Sequence, residues 1–563
     1  MSLLFKTRNQ LNDFFSEFRR YIAPTYYHDR CERSLHMNIY AIHKREILLS
    51  LAGFLSCFIL LLFIGLAGPN VTKLDTLKAS QIFEKDKVNK TVQQNLLVSG
   101  PFRISVPEMS TYSGYICLWI TFYIKGEPDS GAFQKRFTIT INIEGKSTIN
   151  NNNHHRKDTG SMGFGGTNDT LPMVNTILEE SFDSGGGRYH HLDCNGNSCD
   201  PIQALHLEYL EYSDYTITIR FADLEHFNKK NPITDIHFTF QSINPSFTSL
   251  TIWFRFIFLV IAFITSCWFN HCLYRYNFAD WSMEQKWTSF LLIALILYNN
   301  PFYPLMYLSN SKFPHILEIL FQTTFTCSVL LFWICFFHGI RQNNRPLIRF
   351  YGFKLLIVGT LWLIILYGAN WSRIKKMENP TLDEETAYSG SMLLKTCNFL
   401  FYLLFLIYFI YLVLLLLTAF TELRSMPYFD LRLKIQTFLL CFTLTICFLE
   451  FILSKPPTAS DSILGKTDIT QIPYLQLLPM TYQTTSSASF LSIFSISNLY
   501  ICIAAYFYYP SSASLMDSRV VRDNPTLSMI NDSDEDVIYG SDVEQPLNQS
   551  KLIEMRNDDE ESD

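Results

Sequence analysis

Apolar positions along the chain gather into eight runs of about twenty residues, the length an α-helix needs to cross roughly 30 Å of hydrocarbon. The runs are Ile47 to Ala67, Ile252 to Leu273, Trp287 to Tyr307, Ile316 to Ile340, Phe353 to Asn370, Met392 to Phe420, Ile435 to Leu453 and Ser487 to Tyr508. One run stands alone near the N-terminus and seven follow a long polar interval, which predicts a 1+7 multi-pass helical membrane protein. The third run is interrupted at its far end by Asn299, Asn300, Pro301 and Pro304. About 45 residues with eight Lys or Arg precede the first run. That is too long a leader for a cleavable signal peptide, so residues 47–67 read as an uncleaved signal anchor, with a cut near Gly68 as the alternative.

The interval 68–250 has a different rhythm. TYSGYICLWITFYIKG (111–126) is rich in β-branched and aromatic residues, and FTITINIEG (137–145), YTITIRF (215–221) and DIHFTF (235–240) alternate with period two. Such runs bounded by Gly, Pro and Asn predict strands, at least five of them, and hence a small β-sandwich. Residues 149–190, with INNNNHHRKDTG and SGGGR, predict a flexible insertion between strands. The expected organisation is a cytosolic segment 1–46, a signal-anchor helix 47–67, a lumenal or extracellular sandwich 68–250, a seven-helix bundle 251–509 and a disordered tail 510–563.

Charge orients this arrangement. The loops 274–286, 341–352 and 421–434 hold Arg275 and Lys286, then Arg341, Arg345 and Arg349, then Arg424, Arg432 and Lys434. The opposite loops are longer and poorer in net positive charge, so the basic loops and both termini are expected in the cytosol. The formal net charge of −6 hides a split: residues 511–563 hold 14 acidic and 4 basic residues, a net of −10, which leaves about +4 for the rest. No basic stripe with interleaved aromatics appears, so nucleic acid is not an expected partner. Near the N-terminus, LNDFFSEFRRYI (11–22) has the spacing of an amphipathic helix, either interfacial or docked under the bundle. Asn89 and Asn168 lie in sequons on the lumenal side and are the expected glycosylation sites. Asn531 and Asn548 also stand in sequons, but in the tail.

Candidate chemistry is sparse. Cys117, Cys194 and Cys199 are the cysteines placed in the oxidising compartment. Cys194 and Cys199 flank the turn-forming NGNS and are the expected disulfide, with a Cys117 bridge to either as the alternative. His190 and His191 with these two thiols do not have the spacing of a structural zinc site. No G-x-S-x-G, no H-E-x-x-H and no pair of intramembrane aspartates occurs, so neither an enzyme, a metal nor a cofactor is expected. Glu450 lies near the lumenal end of its helix, where it is hydrated or paired, or marks a pathway. Arg255 reads as a snorkelling anchor beside Trp253. The NNPFYP stretch is the candidate bundle pocket. Its prolines free nearby carbonyls, which Asn299 and Asn300 could satisfy, and Pro301, Tyr303 and Arg255 complete the set. The plainer reading is a broken helix end at the lumenal interface. Ser282 to Gln285 predicts a capping box opening the third helix.

INPSFTSLTIWFRF (243–256), DWSMEQKW (280–287), LYNNPFYPL (297–305), LLFWICFFHGIR (330–341), ELRSMPYFDLRLK (422–434) and NPTLSMINDSDEDVIYGSD (524–542) resemble the transmembrane protein 181 family, GOLD-domain seven-helix proteins related to the Wnt carrier Wntless. The likeness spans about Tyr40 to Asp542 and is most specific in the second half. It implies a GOLD-like β-sandwich on a seven-helix bundle, no enzymatic activity, and a place among carriers or sorting factors of the secretory and endosomal route. It also implies the alternative of a cell-surface receptor that signals or is exploited by bacterial toxins. For signalling, Asn300-Pro301-x-Tyr303 stands at the lumenal end of the third helix, the wrong end for a rhodopsin-like motif, and Glu422-Leu-Arg424 follows the sixth helix. Expected partners are membrane lipids, a protein or lipidated ligand on the lumenal side, and sorting or coat proteins in the cytosol, with residence in Golgi, endosome or plasma membrane. In the tail, Ser533 precedes Asp534, Glu535 and Asp536, and Ser541 precedes Asp542 with Glu544 beyond. Acids after serine suit an acid-directed kinase, and phosphate would add about −1.5 to −2 charge per site. A phospho-regulated sorting signal is the functional reading and a solvated terminus the bland one. Tyr428-Phe-Asp-Leu431 fits a tyrosine sorting pattern but stands in a short loop against the bilayer.

Overall fold

The apolar runs form eight long helices: α1 (Lys44–Leu66), α2 (Pro245–Leu273), α3 (Met283–Tyr298), α4 (Phe313–Gly339), α5 (Leu347–Glu378), α6 (Met392–Leu423), α7 (Pro427–Leu453) and α8 (Ser487–Tyr508). This computed structural model describes residues 35, 37–85, 97–106, 109–125, 133–147, 173–179, 188–195, 198–208, 210, 212, 214–309, 311–340, 347–380, 391–423, 427–453 and 486–511. The chain divides into two compact units, Met1–Tyr509 and Pro510–Asp563, and of the second only residues 510–511 are described. The expectations at 11–22, Asn89, Asn168, Ser533 and Ser541 lie outside the described residues.

Among the described residues seven helices, all but α3, are long and apolar enough to cross a membrane. α3 opens on the expected capping box, with Ser282 Oγ accepting from Gln285 N and Gln285 Oε1 accepting from Ser282 N. It runs for only 16 residues, about 24 Å at 1.5 Å per residue, and stops at Tyr298 instead of continuing to Tyr307. Asn300 there takes a left-handed φ of 48°, and a single further turn, Leu305–Leu308, follows.

α8 is buried along most of its length. Among its many large apolar buried positions, such as Phe490, Leu491 and Phe494, stand small or polar ones: Ser489, Ser492, Ser495 and Asn498 are all buried. Ser495 returns its hydroxyl proton to the Ser492 carbonyl of the preceding turn. Small residues let backbones approach closely where no water can drive association. α1 uses the same device against α8. A Cβ on Gly65 would lie 2.7 Å from Ala488 Cα, and one on Gly68 would lie 2.7 Å from Ser487 Cβ. The outer side of α1, with Leu48, Leu49, Leu60 and Phe63, is exposed.

The β-domain contains strands β1 (Thr72–Lys78), β2 (Phe102–Val106), β3 (Ile116–Ile124), β4 (Phe133–Ser147), β5 (Met173–Glu179), β6 (Arg188–Asn195), β7 (Ser198–Cys199), β8 (Ile202–Leu207), β9 (Asp214–Ala222) and β10 (Ile233–Ile243). They form one sheet in the order β1-β10-β3-β7-β6-β4-β9-β2, with β5 on β4 and β8 on β3. The sheet is folded over so that its halves face each other. Phe102 of β2 meets Phe238 of β10 at 5.2 Å between ring centroids, and Phe122 of β3 meets Phe137 of β4 at 5.5 Å. The layers expected of a sandwich are therefore present, but hydrogen bonding continues between them through the β6–β7 hairpin. Cys194 and Cys199 pair across that hairpin and are joined by a disulfide, while Cys117 is buried on β3. The tract 149–190, expected as an insertion between strands, holds β5 and the first residues of β6.

No linker separates this domain from the bundle. β1 starts six residues after α1, β10 ends two residues before α2, and the two strands pair from Thr72 with Ile243 to Lys78 with His237. Between strand and helix, Asn244 donates its N–H to Val71 O at 2.9 Å and caps α2 with its side chain on Ser246 N. The bundle thus begins at Pro245, not at 251. At the opposite end, Leu35 N donates to Asp280 O and Asn38 N to Tyr509 O, so Leu35, Asn38 and Tyr509 share the end away from the β-domain.

Candidate functional site

α2, α4 and the α3–α4 connection each send a polar side chain into the bundle near the β-domain. Arg255, in the third turn of α2, is 3% exposed, and Glu318, in the second turn of α4, is 1% exposed. Their Nη2 and Oε1 lie 2.8 Å apart. Gln322, one turn further along α4, donates to the same Glu318 oxygen. Asn300 donates to the other. The left-handed turn at Asn300 brings its amide to Glu318 and lets its Oδ1 accept from Phe302 N at 3.0 Å. The Arg255 guanidinium lies over the Tyr303 ring, 4.0 Å from its centroid. A charge pair at this depth persists because each carboxylate oxygen is bonded and an aromatic face covers the cation.

Three expectations give way to this geometry. Arg255 does not snorkel: Trp253 beside it is exposed, whereas Arg255 turns inward to Glu318. Pro301 and Pro304 are exposed and take no part in the cluster; Pro301 only ends the helix. The Asn side chains do not satisfy freed carbonyls, since Asn300 serves Glu318 and Phe302 N while Asn299 donates to Asn498 Oδ1 at 2.9 Å. Glu450 accepts from the Ser492 hydroxyl.

Among the described residues two relays join the β-domain to this layer. In one, Tyr112 packs on Tyr307 at 5.8 Å, the Tyr307 and Tyr303 hydroxyls are 3.0 Å apart, and Tyr303 stacks on Arg255. Nearby, Thr248 Oγ1 donates to Tyr112 O. In the other, Glu208 follows β8 and is paired with Arg373 of α5 at 2.8 Å and with His206 at 3.4 Å. Arg373 Nη2 lies 2.8 Å from His315 Nδ1 on α4. His206 N also donates to Pro380 O beyond α5. His315 and Glu318 stand three positions apart on α4, so both relays end on adjacent turns of one helix. On the β-domain side, burial raises the Tyr115 phenol well above its usual range, and Tyr115 stacks on His206 at 5.2 Å.

Glu318, Gln322, Glu208, Arg373 and His315 were missed in the sequence reading. Glu318 carried a usable signal, as the acid inside the apolar run Ile316 to Ile340. Among the described residues no group of His, Cys, Asp and Glu is placed to hold a metal ion.

Comparison with known proteins accords with this two-part architecture. Residues 244–512 match the Wntless-like transmembrane domain, and residues 173–243 match the GOLD domain of TMEM181. The boundary between the matches falls at the β10–α2 junction. Human transmembrane protein 181 is 34% identical over 531 residues, which cover 93% of this chain and 98% of the human one. The chain therefore belongs to the transmembrane protein 181 family, multi-pass membrane proteins with a GOLD domain ahead of a Wntless-like helical domain.

Proposed function

We propose that this protein is a non-catalytic trafficking protein of the secretory and endosomal route. Its GOLD domain binds a protein or lipid-bearing ligand on the lumenal side, and its acidic tail is read by sorting or coat proteins in the cytosol. Both termini are cytosolic on this reading, Asn89 and Asn168 carry glycans, and Ser533 and Ser541 are phosphorylated. The observation that carries it is the absence of a linker between β-domain and bundle, with the Glu208–Arg373–His315 clamp across the junction. A ligand on the β-domain would then be held in fixed relation to the membrane helices. The Tyr112–Tyr307–Tyr303–Arg255 relay favours a second reading, a receptor in which the β-domain signals into the bundle.

The test is steady-state localisation of the full chain against a version ending at Asp517, with surface and internal pools scored separately. Redistribution on truncation, reproduced by replacing Ser533 and Ser541 together with alanine, is the expected result. An unchanged distribution would remove the sorting signal and leave the receptor reading.

A further inference from the structure

Arg255 has five N–H donors. Its Nη2 is bonded to Glu318, but Nε and Nη1 meet no hydrogen-bond acceptor among the described residues, although the side chain is 3% exposed. Asn299 Oδ1, fully buried at the break after α3, is likewise without a donor. Buried polar atoms in native proteins are nearly always satisfied, so those that are not call for a bound water or ligand. Non-helical backbone at membrane depth is tolerated where protein or a polar occupant meets it.

The charge balance selects the occupant. Glu318 already neutralises Arg255, and Glu208 neutralises Arg373 nearby. A formal anion would add net negative charge beside a buried carboxylate. An uncharged oxygen would take the free donors without that penalty. Trp253 and Phe256, close to Arg255 along α2, and Phe302 and Leu305, close to Asn300 in the α3–α4 connection, are exposed apolar residues. They suit an apolar body entering from the lipid side. We propose that Arg255 Nε and Nη1 hold the uncharged oxygen acceptor of a membrane amphiphile, either a glycerolipid ester carbonyl or a sterol hydroxyl. This site is separate from the sorting signal in the tail.

The test uses the full chain purified in detergent with three diazirine probes: a phosphatidylcholine, a cholesterol and a palmitic acid. Photolabelled peptides are mapped by mass spectrometry. Labelling of peptides containing Arg255 or Tyr303 by the phosphatidylcholine assigns the ester carbonyl, and labelling by the cholesterol assigns the hydroxyl. R255K keeps a cation opposite Glu318 but loses the planar fork, and is expected to lower that labelling about tenfold. E318Q leaves Arg255 unneutralised and is expected to move labelling to palmitic acid. This second variant decides the question if R255K does not fold, which its elution profile and melting temperature report. Labelling equal in R255K and wild type, or absent with both neutral probes, overturns the proposal in favour of water. Wild-type labelling chiefly by palmitic acid overturns the uncharged class. The version ending at Asp517 should label like the full chain, so failure of the sorting reading would leave this result standing.

Discussion

Substituting Arg255 alone and substituting it together with Glu318 have different expected costs. R255M leaves the Glu318 carboxylate buried with only Asn300 and Gln322 as donors, which costs about 3–5 kcal/mol for a buried charge that loses its partner. R255M/E318M removes both charges and should recover most of that loss. Thermal melting in detergent, read by monodisperse elution after heating, compares the three proteins, and equal melting of R255M and wild type would show that the pair is not closed. A second residue-scale effect belongs to His237 on β10. Burial first, and then Lys78, hold its imidazole below the ordinary range, against the opposing pull of Asp235. A histidine whose folded pKa is depressed takes up its proton more readily when unfolded. Its contribution is therefore present above about pH 6.5 and declines as pH falls. H237Q should flatten the acid limb of the melting-temperature profile below pH 6.5 and leave the value at pH 8 nearly unchanged. Glu318 stands out as the acid in its apolar run, but its pairing with Arg255 is not legible locally, because they stand 63 positions apart and a helical neighbourhood reaches only four. Trp253, two positions from Arg255, pointed the sequence reading toward the wrong face. What was legible was that Asn299 and Asn300 interrupt an apolar run; which groups they serve depends on α4 and α8.

Among the elements, α1 and α8 show how much rests on an absent side chain. Gly65 lies against Ala488 Cα and the Ser487 carbonyl, which are backbone and cannot rotate away. Gly53, on the same helix, has nothing within 4 Å of the place a Cβ would occupy. G53A should therefore be neutral or raise stability by up to about 1 kcal/mol through helix propensity. G65A should lower it by about 1–3 kcal/mol through overpacking. The difference between the two melting temperatures is the measurement, and equal shifts would mean that α1 does not pack as described. The long helices were legible because lipid demands twenty apolar residues in succession, a constraint that needs no tertiary knowledge. α3 departs from this rule. Its run reads as a span to Tyr307, and the structure stops it at Tyr298 because Asn299 and Asn300 find partners in Asn498 and Glu318. Strands β4, β9 and β10 were legible from their alternation, and β3 from its β-branched and aromatic residues. β1, with Lys73, Asp75 and Lys78 on the edge of the sheet, was not, since an edge strand needs no apolar face and its charges oppose further pairing.

For the molecule as a whole, the question is whether β-domain and bundle unfold together. The β1–β10 ladder ties them through covalent continuity, which survives any side-chain substitution. Among the described residues the side-chain ties include the Tyr112 relay and the clamp of Glu208, Arg373 and His315. Glu208 is shared between Arg373 and His206, so R373M leaves a buried carboxylate with His206 as its remaining ion-pair partner among those described. Loss of one partner of a buried pair is far more costly than loss of both. In wild type, scanning calorimetry should give one transition. In R373M the β-domain should loosen first, giving a second transition at lower temperature and earlier protease cleavage at residues 200–214. E208Q/R373M should merge the transitions again, because the carboxylate that had lost Arg373 is gone while the ladder and the aromatic relay remain. This outcome would assign the clamp to coupling and the ladder to attachment. A single unshifted transition in R373M would instead mean that the ladder and the aromatic relay carry the coupling without the clamp. On the proposed reading, a ligand on the β-domain would then act on the bundle through α1 and α2, the two helices that β1 and β10 continue, and through the Tyr112 relay.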